Sequence, residues 1–272
     1  MILDGFHFQF GDYNSREHNL IFAHSNTQSY DSIMGATTST TIFNKRDKIR
    51  YLITDNFENS PLNFEAEIIT DDTRPLTQQS RRVVEKSLFN KPNYMKLYVD
   101  INDDFMGDTI EYVDGCLKRL FFRCRFVNPV KIEDGNGLPI GYKFTVECDS
   151  CMAWQDEIEQ EFDIANGDVA EVHVDTDIGD YTYPDVVIQL GDEGGDITIV
   201  NITDDSSRFT KFNSLPPNET ITMKGNINYI SGQYYERFEN QNFLRLVDGE
   251  NLFVIIGDIS NIKFKWNNRR FI

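Results

Sequence analysis

The chain has 272 residues, 40% of them hydrophobic and 13% aromatic, with 21 Phe and 12 Tyr, which is enough bulky apolar matter for cores and excludes a disordered chain. Its formal charge is −18, unevenly spread: residues 1–150 hold 17 basic and 22 acidic side chains, the remainder 9 and 22. Tight wrapping of nucleic acid needs clustered Lys and Arg to release counterions, so this field excludes it; an acidic surface that repels phosphate suits solubility and equally a conduit for DNA.

The start, MILDGFHFQFGDYNSRE, has no basic region before an apolar run, and no stretch of ~18 apolar residues follows that would span a membrane. The expectation is a chain made in a reducing cytoplasm. Four Cys are too few for a disulfide scaffold.

The first strand is read at Phe6, Phe8 and Phe10, which alternate with His7 and Gln9. The one convincing helix follows Arg74-Pro75-Leu76. Thr77 is the N-cap of QQSRRVVEKSLF, with Leu76, Ser80, Val83, Val84, Ser87 and Leu88 on a shared face, and Lys91-Pro92-Asn93 ends it. Period two then returns at Leu97, Val99 and Ile101. Further on, Leu120, Phe122, Cys124 and Phe126 face one way while Arg123 and Arg125 face the other; Phe144, Val146 and Cys148 repeat the pattern. QDEIEQEF, 155–162, is a second helix candidate that reads equally as an exposed linker or strand. Later strands are read at Val186–Leu190, at Ile197 and Ile199, and at Ile262, Phe264 and Trp266, which alternate with Lys263 and Lys265. Turn signals separate them, among them Asp134-Gly135-Asn136-Gly137 and Gly194-Gly195. The charge shift places a boundary between Trp154 and Val169. The expected fold is all-β with one helix: a domain over 1–154, its helix near 77–90, and a second over 155–272.

Candidates for chemistry do not converge. Cys148-Asp149-Ser150-Cys151 has C-x-x-C spacing, but Cys116 and Cys124 form no second knuckle, the four His lie at no ligand spacing, and no βαβ pattern surrounds the pair, so zinc and redox roles are not expected. Asp175-Thr176-Asp177-Ile178-Gly179-Asp180 opens like a calcium loop but lacks its flanking helices and the closing Glu. No G-x-S-x-G or phosphate-cradling loop with Lys exists, and the turn Gly191–Gly195 carries acids that would repel phosphate. No catalytic, metal or cofactor residue is therefore assigned. In YISGQYYERF, Tyr229, Tyr234 and Tyr235 are read either as glycan-stacking residues or as core-edge and interface residues, where Tyr is enriched.

GYKFTVECDSCMAW, 141–154, resembles a strand reading G-[FY]-x-F-T-V-E-C-D-S-P-W-A-W that closes the first domain of the distal tail proteins of bacteriophages with long, non-contractile tails. Gly141, Tyr142, Phe144 to Ser150, Ala153 and Trp154 match; Cys151 stands where the pattern has Pro and Met152 where it has Trp, so the C-x-x-C spacing is incidental. The helix with the strand Tyr94–Asp100, and Pro184–Ile188, Asp196–Asn201, Phe243–Asn251 and Ile262–Trp266 with Arg269-Arg270, resemble family segments in the same order.

The resemblance implies an N-terminal sandwich or split-barrel-like domain that forms a hexameric ring at the tail tip, and a C-terminal galectin-like β-sandwich. The ring joins the tail tube protein to the tail-associated fibre or lysin protein, often anchors receptor-binding proteins, and lets DNA through a central channel without tight binding. It implies a virion protein, assembled in the host cytoplasm, with no enzyme activity, cofactor or membrane. Arg81, Arg82, Arg123 and Arg125 are the ring-contact candidates, since the first half is the less acidic. Glycan binding through Tyr229, Tyr234 and Tyr235 is the alternative function.

Overall fold

Alternation of apolar and polar residues becomes antiparallel strands along the whole computed structural model, which describes residues 7–25, 37–38, 41–44, 50–53, 57–58, 61–71, 74–100, 110–113, 116–165, 167–177 and 179–270. The chain divides into two units, one ending at Trp154 and the other spanning Gln155–Arg270.

The first unit holds β1 (His7–Phe10), β2 (Tyr13–Asn14), β3 (Leu20–Ser25), and two short pairs: β4 (Thr37–Thr38) with β7 (Phe57–Glu58), and β5 (Thr41–Asn44) with β6 (Arg50–Ile53). There follow β8 (Asn63–Thr70), β9 (Met95–Asp100), β10 (Ile110–Val113), β11 (Cys116–Glu133), β12 (Pro139–Cys148) and, at its end, β13 (Ala153–Gln155). The main sheet runs β2-β1-β9-β11-β12-β8-β3, with β10 added on β11. Its ends approach one another. His7 Nδ1 donates to the Leu20 carbonyl at 3.0 Å, and the Phe8 N–H donates to Ser15 Oγ at 2.8 Å. Among the described residues no ladder joins the ends, so the sheet is rolled but open. The turn between β11 and β12 is closed by its own residues: the Asp134 carboxylate accepts from the N–H groups of Asn136 and Leu138 at 2.9 and 2.8 Å.

Aromatic rings fill the inner face of the roll. Phe10 stacks on Phe126 at 4.2 Å, Phe126 meets Phe144 at 4.5 Å, and Phe8 meets Phe22 at 4.6 Å. Helix α1 (Gln78–Val84) seals this face, and Thr77 caps it as the sequence predicts, its Oγ1 accepting from the Ser80 N–H at 3.1 Å. The helix continues as a π turn, Glu85–Phe89, which brings the Phe89 ring to 5.1 Å from Tyr142 and 5.3 Å from Phe144. Val84 and Leu88 are buried, whereas Val83, expected on the same face, is 37% exposed. Val84 lies one turn before Leu88 on the core-facing line, and Val83, about 100° around the helix, falls at the edge of that stripe.

The second unit is a sandwich. Its strands are β14 (Ile158–Asp163), β15 (Val169–Val174), β16 (Asp185–Leu190), β17 (Gly195–Asn201), β18 (Phe209–Leu215), β19 (Thr220–Lys224), β20 (Tyr229–Ile230), β21 (Gly249–Ile256), β22 (Ile259–Trp266) and β23 (Arg269–Arg270). One sheet runs β14-β22-β16-β19-β20 and the other β15-β21-β17-β18. Their apolar faces meet across the middle, where Phe253 and Phe264 lie 4.8 Å apart. Segment 155–162 contributes a strand: Ile158 is buried, and Glu159 and Glu161 point outward to bridge Lys263 at 2.9 and 2.8 Å. Two asparagines inside the sandwich satisfy each other. Asn201 donates to Asn251 Oδ1 at 2.9 Å, and Asn251 also closes the preceding loop by bonding both the N–H and the carbonyl of Val247 at 2.8 Å.

Candidate functional site

The outer face of the first unit's sheet carries a strip of paired charges and aromatic rings. Arg123 and Arg125 alternate with the buried Cys124 and Phe126, so both project from the side away from the core. Register sets Arg125 opposite Glu147, and two of its nitrogens reach Glu147 Oε2 at 2.7 Å while the guanidinium lies 5.3 Å from the Tyr94 ring. Arg123 lies 3.4 Å from the Asp149 carboxylate and 5.0 Å from the Trp154 ring, whose indole N–H donates to Asp149 at 3.2 Å. The strip continues to β8 through Lys143 and Glu65 at 2.8 Å, and to β9, where Lys96 lies 4.1 Å from the Phe121 ring and Arg119 4.5 Å from that of Tyr98.

The electrostatics follow from these neighbours. Glu147 holds the Arg125 guanidinium above its ordinary range, and Glu65 does the same for Lys143. Partial burial raises Asp149, with Trp154 and Arg123 pulling the other way. These cations are engaged in pairs and stacks within the chain.

The structure brings only two of the four candidate arginines together. Arg81 and Arg82 lie on helix α1, which packs on the inner face, so the sheet separates them from Arg123 and Arg125. Arg82 is exposed, while Arg81 Nε is buried with no hydrogen-bond partner among the described residues. Near them the Tyr142 hydroxyl donates to Glu85 at 2.9 Å, and Lys131 bridges the same carboxylate at 3.6 Å. In the second unit Tyr229 sits on the edge strand β20 and is 46% exposed; Tyr235, in the 3-10 turn Tyr234–Arg237, is 45% exposed. Partial burial and a hydrogen bond to Glu219 push the Tyr234 phenol up.

Three features escaped the sequence reading. Arg245 grips Asp204 at 2.6 and 3.1 Å while its guanidinium lies 3.7 Å from the Tyr181 ring, an arrangement assembled from segments far apart in sequence. Asp175 and Asp177, the acids of the calcium-like loop, bind the buried Arg270 at 2.7 and 3.2 Å. In the glycine turn after β16, the Asp258 carboxylate accepts from the N–H groups of Glu193 and Gly194 at 2.6 and 2.8 Å, filling the donors that an anion would need. A cavity of about 540 Å³ lies beside this turn, lined by Gln189, Gly191, Asn218 and Asp258 among others. Among the described residues no group of three or more His, Cys, Asp and Glu side chains is placed to hold a metal ion.

A rolled antiparallel sheet sealed by one helix, an antiparallel sandwich and a strip of paired charges on the first sheet's outer face define a two-domain β-protein. Residues 3–150 match the phage tail protein N-terminal domain and residues 152–266 the phage tail C-terminal domain, so the chain belongs to this family of phage tail proteins. Its fold is similar to that of the SPP1 Dit protein, described as a paradigm of the hub adsorption apparatus in phages infecting Gram-positive bacteria, with a TM-score of 0.64 and 10% identity over 96% of this chain and 98% of that one. It is also similar to a chain of the phage P2 baseplate in its activated conformation with Ca, at a TM-score of 0.54 and 10% identity over 98% and 99%, and to one from the same baseplate with Sr, at 0.53. No match is found among curated protein sequences. The resemblance to distal tail proteins read from the sequence therefore holds in family and in fold.

Proposed function

We propose that the chain is a structural hub of the phage tail tip. Its N-terminal unit closes on copies of itself as a hexameric ring around a channel for DNA. The ring joins the tail tube protein to the tail-associated fibre or lysin protein and to receptor-binding proteins. It acts in the virion, after assembly in the host cytoplasm, as a scaffold without catalysis. The observation that carries this reading is the likeness to a tail hub protein over 96% of the chain, joined to two phage tail domain matches. The outer strip of the first unit supplies a means. A closed ring needs two different patches that match, and the mixed charges of Arg123, Arg125, Glu147 and Asp149 can re-pair across such a contact.

Light scattering and negative-stain microscopy of the purified full chain test it. A hexameric mass with an annulus is expected. A chain that stays monomeric at high concentration, and forms no annulus after addition of the tail tube and neighbouring tail proteins, overturns the reading. A second reading, glycan binding by the C-terminal unit, draws on the exposure of Tyr229 and Tyr235; a glycan array without a hit removes it.

A further inference from the structure

Cys124 and Cys148 come from the two adjacent central strands of the N-terminal sheet and stand directly opposite each other in the antiparallel register. The ladder bond beside them runs from the Asp149 N–H to the Arg123 carbonyl at 2.9 Å, outside the pair, which makes this a non-hydrogen-bonded position. At such positions the Cα atoms lie about 4.5 Å apart and the side chains come closest, within the roughly 4.4–6.8 Å range that disulfides span. Both residues are free thiols on the core face, 0% and 3% exposed. The C-x-x-C spacing points to Cys151 as the partner of Cys148, whereas the sheet register selects Cys124.

We propose that Cys124 and Cys148 form a latent cross-strand disulfide that closes when the protein meets an oxidising medium and staples β11 to β12. The oxidant is a small-molecule disulfide. One cysteine thiolate attacks it and expels the first small thiol; the second cysteine attacks the mixed disulfide and expels the other. Two S–H bonds are lost and one S–S bond forms in the protein, while the small disulfide leaves as two thiols carrying both hydrogens. Burial, and after it the neighbouring Cys148, holds the Cys124 thiol well above its ordinary range. The Cys124 thiol is therefore slow to act as the attacking thiolate.

The test takes the full chain, purified with reductant, and incubates it with cystamine. Remaining thiols are then blocked and the chain is digested for peptide mapping by mass spectrometry. The expected product is a Cys124–Cys148 crosslink, lighter by two hydrogens, with a rise in Tm on the order of 5 °C over the reduced chain. Excess reductant reverses both. Cys151→Ala keeps the crosslink and Cys124→Ala abolishes it; if Cys124→Ala does not fold, the map of the unaltered chain decides the point. A crosslink between Cys148 and Cys151, one that uses Cys116, a mixed disulfide that never resolves, or four thiols all still blocked after denaturation would each overturn the proposal.

Discussion

The two units solve the same problem differently. In the C-terminal sandwich each sheet covers the apolar face of the other, and the outer face of β14 and β22 is solvated charge, with Glu159 and Glu161 set against Lys263 and Lys265. The N-terminal unit has one main sheet. Rolling and helix α1 cover its inner face, while its outer face keeps Tyr94, Tyr98 and Trp154 among the charges. Aromatic rings beneath cations are what protein interfaces favour. The lesson is one of layering more than composition: the more acidic half closes one sheet on another, whereas the less acidic half closes its main sheet with a roll and a helix.

That contrast can be broken in several ways. The largest effect is expected from Phe126→Ala, which removes the ring between Phe10 and Phe144 and costs about 3–5 kcal/mol. Hydrogen exchange should show protection lost in β11 and β12 and kept in the sandwich; an equal loss in both would mean the units do not stand independently. Asn251→Ala is the matching cut in the second unit. It leaves the Val247 N–H and one N–H of the Asn201 amide without an acceptor, the other still bonding the Arg245 carbonyl, and a cost of about 1–3 kcal/mol should appear in urea unfolding with the first unit's protection unchanged.

Acid probes the solvated side. Lys265 and Lys263 hold Glu159 down to about 2, against an ordinary value of 4.5. Because the folded value is the lower one, its contribution is present above 4.5 and fades as pH falls from there toward 2. Amide protection in β14 should decline through that window, and a flat profile would remove the pairing from the account. The smallest effect on folding is expected from reversing Arg123 and Arg125 to Glu. Half-exposed pairs of this kind are worth about 0–1 kcal/mol and like charges set opposite each other cost a similar amount, so the unfolding midpoint should fall only slightly, while the mass of the proposed assembly by light scattering should drop. A ring that survives the reversal would exclude this strip as the contact.

Much of the fold was legible because period two is a local signal. The alternation at Leu120–Phe126 and Ile262–Trp266 reads out strand and face together, and Thr77 announces the helix start. What stayed hidden depends on partners distant in sequence. The acids of 155–162 leave helix, linker and strand open until Lys263 and Lys265 are set beside them in β22, which selects the strand. The helix was visible, but not the side of the sheet on which it docks, so Arg81 and Arg82 were grouped with arginines that lie on the far face. Cys124 pairs with Cys148 through register alone, which no short motif encodes.

Two turns differ in what can be done to them: one closes a hairpin between β11 and β12, and the other crosses from one sheet of the sandwich to the other, between β16 and β17. The turn at Asp134 is closed by hydrogen bonds among Asp134, Asn136 and Leu138, so it can be lengthened, exchanged or used to graft a tag as long as Pro139, which accepts from the Leu76 N–H, is kept. The turn at Gly191–Gly194 is held by Asp258 from a different loop, and a Cβ on Gly191 would fall 2.0 Å from that carboxylate. Neither partner can be re-cut alone, and any insertion there has to be designed into both loops at once.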